Sequence, residues 1–185
     1  MRPSKRTQIL DAALRVVERD GVTALTYESL AEETELTKAG LVYHFPSREA
    51  LLDGLQQHLA QQWETAMTTA AGAPAETLSD NARLAAYAKV ATQRATRAEL
   101  LLILETAARP TTNTPWTEVV NRWTPPTSAT APLSPQEALR LIAYLAADGL
   151  WLHEALTGAH IPHQIREQLA EQLAHLTNTE AGKIH

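Results

Sequence analysis

The feature that most constrains this chain is a short, heavily punctuated stretch, Leu36 to Arg48, which reads L-T-K-A-G-L-V-Y-H-F-P-S-R. Thr37 offers a side-chain oxygen to the free N–H groups of a first helical turn, so a helix is expected to start there. Pro46 ends it, because proline has no N–H to donate and disfavours helical geometry in the residue before it. A helix confined between those two signals is too short to be stable alone in water. It must be carried by neighbouring elements. Gly40 lets another molecule approach the backbone closely, and Lys38, Tyr43 and His44 supply a cation and two polar-tipped rings. Such a helix is suited to reading DNA.

The neighbours are readable on both sides. Strand signals are nearly absent, with no sustained β-branched alternation and no Asn-Gly turn, so the expected fold class is all-α. Ile9, Ala13, Val16 and Val17 form one apolar face of a helix over about 4–19, ended by Asp20-Gly21. Thr26 caps a second helix, 27–34, with Leu30 and Ala31 turned inward. Glu35-Leu36 is the connector into the short helix, which completes a helix-turn-helix module. Pro46-Ser47 restarts the chain as a long fourth helix. Its Leu51, Leu55, Leu59, Trp63 and Met67 recur every four residues, and Ala71-Gly72-Ala73-Pro74 ends it. That length exceeds what a small domain needs, so the helix is expected to link a DNA-binding domain, 1–48, to a second domain, 49–185.

Further helices are expected over about 78–95, 97–108, 116–123, 135–157 and 163–176. Thr111 to Pro115 reads as a loop, and T-P-P-T-S-A-T-A-P-L-S-P as a proline-rich surface loop. The clearest helix start is Ser134-Pro135-Gln136-Glu137, with Ser at the cap, Pro at the first helical position and Glu at the third.

The formal charge of −5 argues against a DNA partner only until it is divided. Residues 1–48 are neutral overall and the acidity lies in 49–185, while Arg2, Lys5 and Arg6 form a basic cluster ahead of the first helix. The absence of cysteine excludes disulfides, thiolate metal sites and cysteine nucleophiles. The N-terminal residues lack the apolar core of a secretory signal, and no apolar run, Leu100 to Leu104 included, is long enough to span a bilayer. A cytoplasmic protein with no membrane partner is expected.

Residues 4–52 resemble the DNA-binding region of the TetR family of transcriptional regulators. The resemblance rests on S-K-R-T-Q-I-L-D-A-A-L, on G-V-T-A-L-T-Y-E-S-L-A-E-E-T, and above all on L-T-K-A-G-L-V-Y-H-F-P-S-R-E-A-L-L. Farther on, A-A-D-G-L-W-L-H-E-A-L-T-G and Trp63 resemble the subgroup that includes repressors of multidrug efflux pumps. The resemblance implies about nine helices, three for DNA and the rest for ligand binding and dimerisation. It also implies a homodimer built on the last two helices, bound to a palindromic operator and released by a small-molecule inducer. The apolar stripes of those two helices point the same way, since one subunit would struggle to bury them all.

Phosphate contacts position a DNA-binding protein and base-edge contacts specify its sequence. The candidate residues are Thr26 and Tyr27 at the second helix, Thr37, Lys38, Ala39, Gly40, Tyr43 and His44 on the third, and Ser47 and Arg48 at the fourth. By resemblance, Lys38 and Gly40 lie in the major groove, while Thr26, Tyr43 and His44 hold phosphates. The plain alternative is that Tyr43 and His44 pack the small core and Lys38 is merely solvated.

The four tryptophans, Trp63, Trp116, Trp123 and Trp151, all follow the helix-turn-helix. Flat indole faces suit stacking and cation–π contact. The candidate ligand residues are Trp63, Met67, Leu100, Leu104, Glu105, Trp116, Asp148 and Trp151, with Glu105 and Asp148 supplying negative charge for a hydrophobic cation. Trp123, beside the proline-rich loop, is expected to be structural. His153, His160 and His163 lie near one another in sequence, but a loop-to-helix junction often carries solvated histidine, so neither a metal nor another cofactor is expected. The chain carries no G-x-S-x-G, Walker or H-E-x-x-H motif, so no catalytic residue is assigned. Two other readings remain: a sensor of an endogenous metabolite, and a helical enzyme or scaffold whose helix-turn-helix is incidental.

Overall fold

Helix starts that the sequence marks with a hydroxyl are helix starts in the computed structural model, which describes residues 4–94, 96–107, 115–126 and 132–178. Among these there are nine α-helices, two short 3-10 turns and no strand. Helix α1, Lys5–Asp20, is capped by Ser4, whose Oγ accepts from the Thr7 N–H at 3.1 Å, and ends at Gly21 with φ +85°. Helix α2, Tyr27–Thr34, opens with Thr26 and Ser29 in a reciprocal capping box. Helix α3, Lys38–His44, begins where Thr37 Oγ1 accepts from the Gly40 N–H at 3.2 Å. Ser47 Oγ accepts from the Ala50 N–H at 3.1 Å and caps α4, Arg48–Ala71. Each such cap is worth about 1 kcal/mol.

The remaining helices are α5 (Asp80–Arg94), α6 (Arg97–Ala107), α7 (Pro115–Trp123), α8 (Pro135–Thr157) and α9 (His163–Asn178). The Ser134–Glu137 capping box of α8 is formed in both directions, with Pro135 at the first helical position and Gly158, φ +67°, at the end. Of the expected loop from Thr111 to Pro115, residues 111–114 lie outside the described residues and Pro115 instead opens α7; the middle of the proline-rich segment, 127–131, also lies outside them.

The chain folds as two compact units, one of residues 1–62 and 96–116, the other of 63–95 and 117–185. Helix α4 contributes its first part to one unit and its last turns to the other. The first unit is built on Ile9, Ala13, Val16 and Val17 of α1, Leu30 of α2, and Leu41 of α3 with Phe45 just beyond it. Three short helices offer too little apolar surface for a core of their own. Leu51, Leu52, Leu55 and Leu59 of α4 and Ala98 and Leu102 of α6 complete it.

Polar contacts lock this unit at its edges. Glu18 on α1 accepts from the Ala98 N–H at 2.6 Å, so its carboxylate serves a free donor of the first turn of α6, where the helix dipole favours negative charge. Arg15 and Arg19 hold Glu33 of α2 at 2.8 and 3.1 Å. Their guanidiniums keep the Glu33 carboxyl below the usual range. The turn into α3 places Glu35 in the left-handed region at φ +57°, which costs a residue with a side chain about 1–2 kcal/mol.

In the second unit α5 packs on α8 and α9, which also pack on each other. Its fully buried side chains include Met67, Leu84, Tyr87 and Trp123. Arg122 of α7 holds Glu64 at 3.0 Å, and Arg140 of α8 donates to the Asn81 side-chain oxygen at 2.7 Å. Ile142, Leu145, Leu152 and Leu156 of α8 and Ile165, Leu169 and Leu176 of α9 remain exposed. No described helix is long and apolar enough to cross a membrane.

Candidate functional site

Helix α3 buries Leu41 and turns most of its other side chains outward. Tyr43 is 85% exposed, so it is not part of the small core, and its ring meets the half-buried His44 ring edge-on at 5.3 Å. Lys38 and Ala39 are exposed on the first turn. Lys38 pairs with Glu28 of α2, and that ammonium holds the Glu28 carboxyl below its usual range. A Cβ at Gly40 would meet only Thr37 Oγ1, at 3.4 Å, an ordinary contact. Folding therefore does not demand glycine at position 40. Close approach by something outside the chain is what its bare backbone permits.

Other candidates are committed to the fold. Tyr27 is half-buried and donates its hydroxyl to the Phe45 carbonyl at 2.5 Å, tying the start of α2 to the end of α3. Burial, and secondarily the charge of Glu49, pushes its phenol up. Arg48 donates to the carbonyls of Leu25 and Val22 at 2.7 and 3.2 Å. The hydroxyls of Thr26, Thr37 and Ser47 are caps, with Thr26 and Thr37 exposed at the helix starts.

Two supports of α3 have no signature in its own sequence. Arg6 donates to the His44 carbonyl at 3.0 Å and lies over the Phe45 ring at 4.3 Å. Gly54 of α4 makes room for that ring, because a Cβ there would stand 2.7 Å from Phe45 Cε1. A glycine inside a strong helical pattern, at a cost of about 1 kcal/mol relative to alanine, was the available signal.

The eight candidate ligand residues are divided. Leu100, Leu104, Glu105 and Trp116 belong to the first unit, where Leu104 and Glu105 are exposed. Trp63, Met67, Asp148 and Trp151 belong to the second. There the Trp63 and Trp151 rings lie 5.9 Å apart, and Trp63 is the same distance from Tyr87. Tyr87 in turn meets Tyr144 at 5.4 Å and donates to Asp148 Oδ1 at 2.5 Å. Tyr144 also hydrogen-bonds the same carboxyl. Burial raises the Asp148 carboxyl above its usual range, against the two phenol hydrogen bonds that favour its ionised form. Both phenols are pushed up by burial first and by the Asp148 charge second. The arrangement is an acid held by phenols of an aromatic cluster, where burial makes the bare negative charge costly and a cation would offset that cost and gain cation–π contact. Tyr87 and Tyr144 were missed in the sequence because their partner lies on another helix or a turn away, with no local pattern to mark it. No group of three metal-ligating side chains occurs among the described residues.

Residues 9–55 match the family described as bacterial regulatory proteins, tetR family. Residues 81–178 match the tetracyclin repressor-like C-terminal domain. Among solved structures, a TetR-family member from Streptomyces coelicolor A3 shares 22% identity over 94% of this chain and 98% of its own, with a TM-score of 0.62. The multidrug binding protein EbrR complexed with malachite green shares 21% identity over 94% and 98%, TM-score 0.60. EbrR complexed with ethidium shares 19% over the same fractions, TM-score 0.53. At these identities the likeness is one of fold. No curated protein matches the sequence.

Proposed function

Since the chain belongs to the TetR family of regulatory proteins, we propose that it is a dimeric repressor released from a palindromic operator by a hydrophobic cation, in control of multidrug efflux. The DNA-reading part is 1–48 and the sensing and dimerising part 49–185. Two copies of α3 enter successive major grooves about 34–36 Å apart. Lys38 and Gly40 face base edges there, and Thr26, Tyr27, Thr37, Ala39, Tyr43, His44, Ser47 and Arg48 flank or support them at the phosphates. The second copy covers the exposed leucine and isoleucine stripes of α8 and α9.

The observation that carries the ligand class is the Asp148 carboxyl set among Tyr87, Tyr144, Trp63 and Trp151. Trp63 and Trp151 are almost wholly buried, so a ligand must part the rings and thereby favour a different population of conformers. Helix α4, which starts beside α3 and carries Trp63 and Met67, transmits the change to the reading helices. Because the coupling is reciprocal, operator DNA weakens ligand binding by the same factor. Leu100, Leu104, Glu105 and Trp116 belong to the first unit and form no part of this proposed site.

The test is titration of the tryptophan fluorescence with ethidium and malachite green, followed by mobility shift of the DNA upstream of the chain's own gene. Saturable quenching at micromolar dye, and release of that DNA by the same dye, are expected. Absence of quenching removes the cationic ligand and leaves the metabolite sensor as the better account.

A further inference from the structure

The second unit contains an open cavity of about 650 Å³ that shares no lining residue with the Trp63–Asp148 cluster. It lies among the first turn of α5, the end of α7 and the start of α8. Trp123 lines it and is completely buried, yet its indole N–H has no acceptor among the described residues. A buried tryptophan N–H is ordinarily hydrogen-bonded. This one is an orphan donor beside an empty volume of the size that holds small-molecule ligands.

The charged groups of the cavity are also rich in donors. Arg83 and Arg140 both line it, and both lean on a single carboxylate, Asp80, with Arg140 additionally donating to Asn81. Each guanidinium carries five N–H donors, so one carboxylate and one amide oxygen leave donor capacity over. The other acid in the lining, Glu137, is already held by the Ser134 N–H at 2.7 Å in its capping box. The lining also carries hydrocarbon, from Leu84, Leu133 and Leu141.

We propose that this cavity is a second ligand site, specific for a small organic acid with an apolar body. The ligand carboxylate accepts from Arg140 and Arg83, sharing the guanidiniums with Asp80, and takes the Trp123 indole N–H as the wall around that buried ring parts. Its hydrocarbon lies against the three leucines. A planar guanidinium fork matches a carboxylate better than it matches a neutral carbonyl, which sets the preference for the acid over its amide. The site is independent of the cationic-ligand reading, since none of its residues belongs to the aromatic cluster.

Octanoate and octanamide serve as probes on the full-length protein labelled with ¹⁵N. Four indole N–H resonances report the four tryptophans, and Trp123→Phe identifies one of them by its loss. Octanoate at millimolar concentration is expected to move the Trp123 indole resonance saturably, with octanamide at least about tenfold weaker. Arg140→Gln should weaken octanoate by about tenfold or more. Arg83→Gln provides the same test if loss of the Arg140–Asn81 bond perturbs the fold. Three results overturn the proposal: a Trp123 resonance unmoved by octanoate, equal affinity for the amide, or octanoate affinity unchanged in both arginine variants. Dye binding through Asp148 is scored separately with Asp148→Asn, which should leave the octanoate response intact.

Discussion

The two compact units use their polar and aromatic residues in opposite ways. In the first, an aromatic ring is left out: Tyr43 stands 85% exposed on α3, while the carboxylates of α1 and α2 are spent on surface ion pairs and on a helix start. In the second, rings and a carboxyl are drawn in, with Tyr87 and Trp63 buried and Asp148 held between two phenols. Exposed polar rings on a short, capped helix make a surface ready for a highly charged partner. An acid enclosed by rings is a place where charge is costly until a counter-charge arrives. On the function proposed above, the first unit would meet its partner on the outside and the second on the inside.

Glycine substitutions give the largest expected contrast. Gly54→Ala should destabilise the chain by about 1–3 kcal/mol through overpacking against Phe45. Gly149 of α8 has open space around it, so Gly149→Ala should stabilise by about 0.4–1 kcal/mol in the monomer. Urea unfolding of the two variants checks this. Equal effects would mean that Phe45 is not held by α4 as the contact geometry requires.

Caps come next. Thr37→Ala and Ser134→Ala should each cost about 1 kcal/mol, but only the first should also weaken DNA binding, because it loosens α3. Thermal melts paired with DNA titrations separate the two, and parallel losses of affinity would erase the distinction between units.

The smallest expected effect is in pH dependence, where Glu28 and Glu33 of the first unit and Asp148 of the second should titrate with opposite sign. Glu28 and Glu33 have carboxyls held below their usual range by Lys38 and by Arg15 and Arg19, respectively. Their contribution is present above the unfolded-state pKa and is lost as pH falls through the lower folded value. Asp148 is raised by burial, so its folded form retains a proton that the unfolded chain releases. Stability from this group therefore falls as pH rises from the ordinary aspartate range through the raised value. Asp148→Asn should flatten that decline in a stability-versus-pH series, whereas Glu33→Gln should instead flatten the loss on the acid side. A wild-type slope unchanged by Asp148→Asn would show that burial of this carboxyl is not felt.

The sequence was most readable where the determining contacts are local. Thr26, Thr37, Ser47 and Ser134 cap helices within three residues of themselves, and the apolar stripe Leu51, Leu55, Leu59, Trp63 and Met67 is buried throughout. The all-α class and the order of the nine helices among the described residues followed from such signals. What stayed hidden depends on residues far apart in the chain. Glu18 serves the start of α6, Arg6 and Gly54 shape the seat of Phe45, Arg48 turns back to Val22 and Leu25, and Tyr87 finds Asp148. Nothing periodic announces these pairings. Trp123, read from sequence as structural, turned out to carry an unpaired donor for the same reason: only its surroundings reveal that no acceptor is near.

The central claim is that the exposed face of α3 reads DNA. Selection of bound duplexes from a random library by the purified full-length chain, repeated with Lys38→Ala and Tyr43→Ala, tests it most directly. The wild type should enrich an inverted repeat with half-sites about one helical turn apart. Lys38→Ala should relax the base preference at one position in each half-site, and Tyr43→Ala should weaken binding across all sequences alike. Absence of any enriched sequence, or the same enriched sequence at the same affinity in both variants, would contradict it.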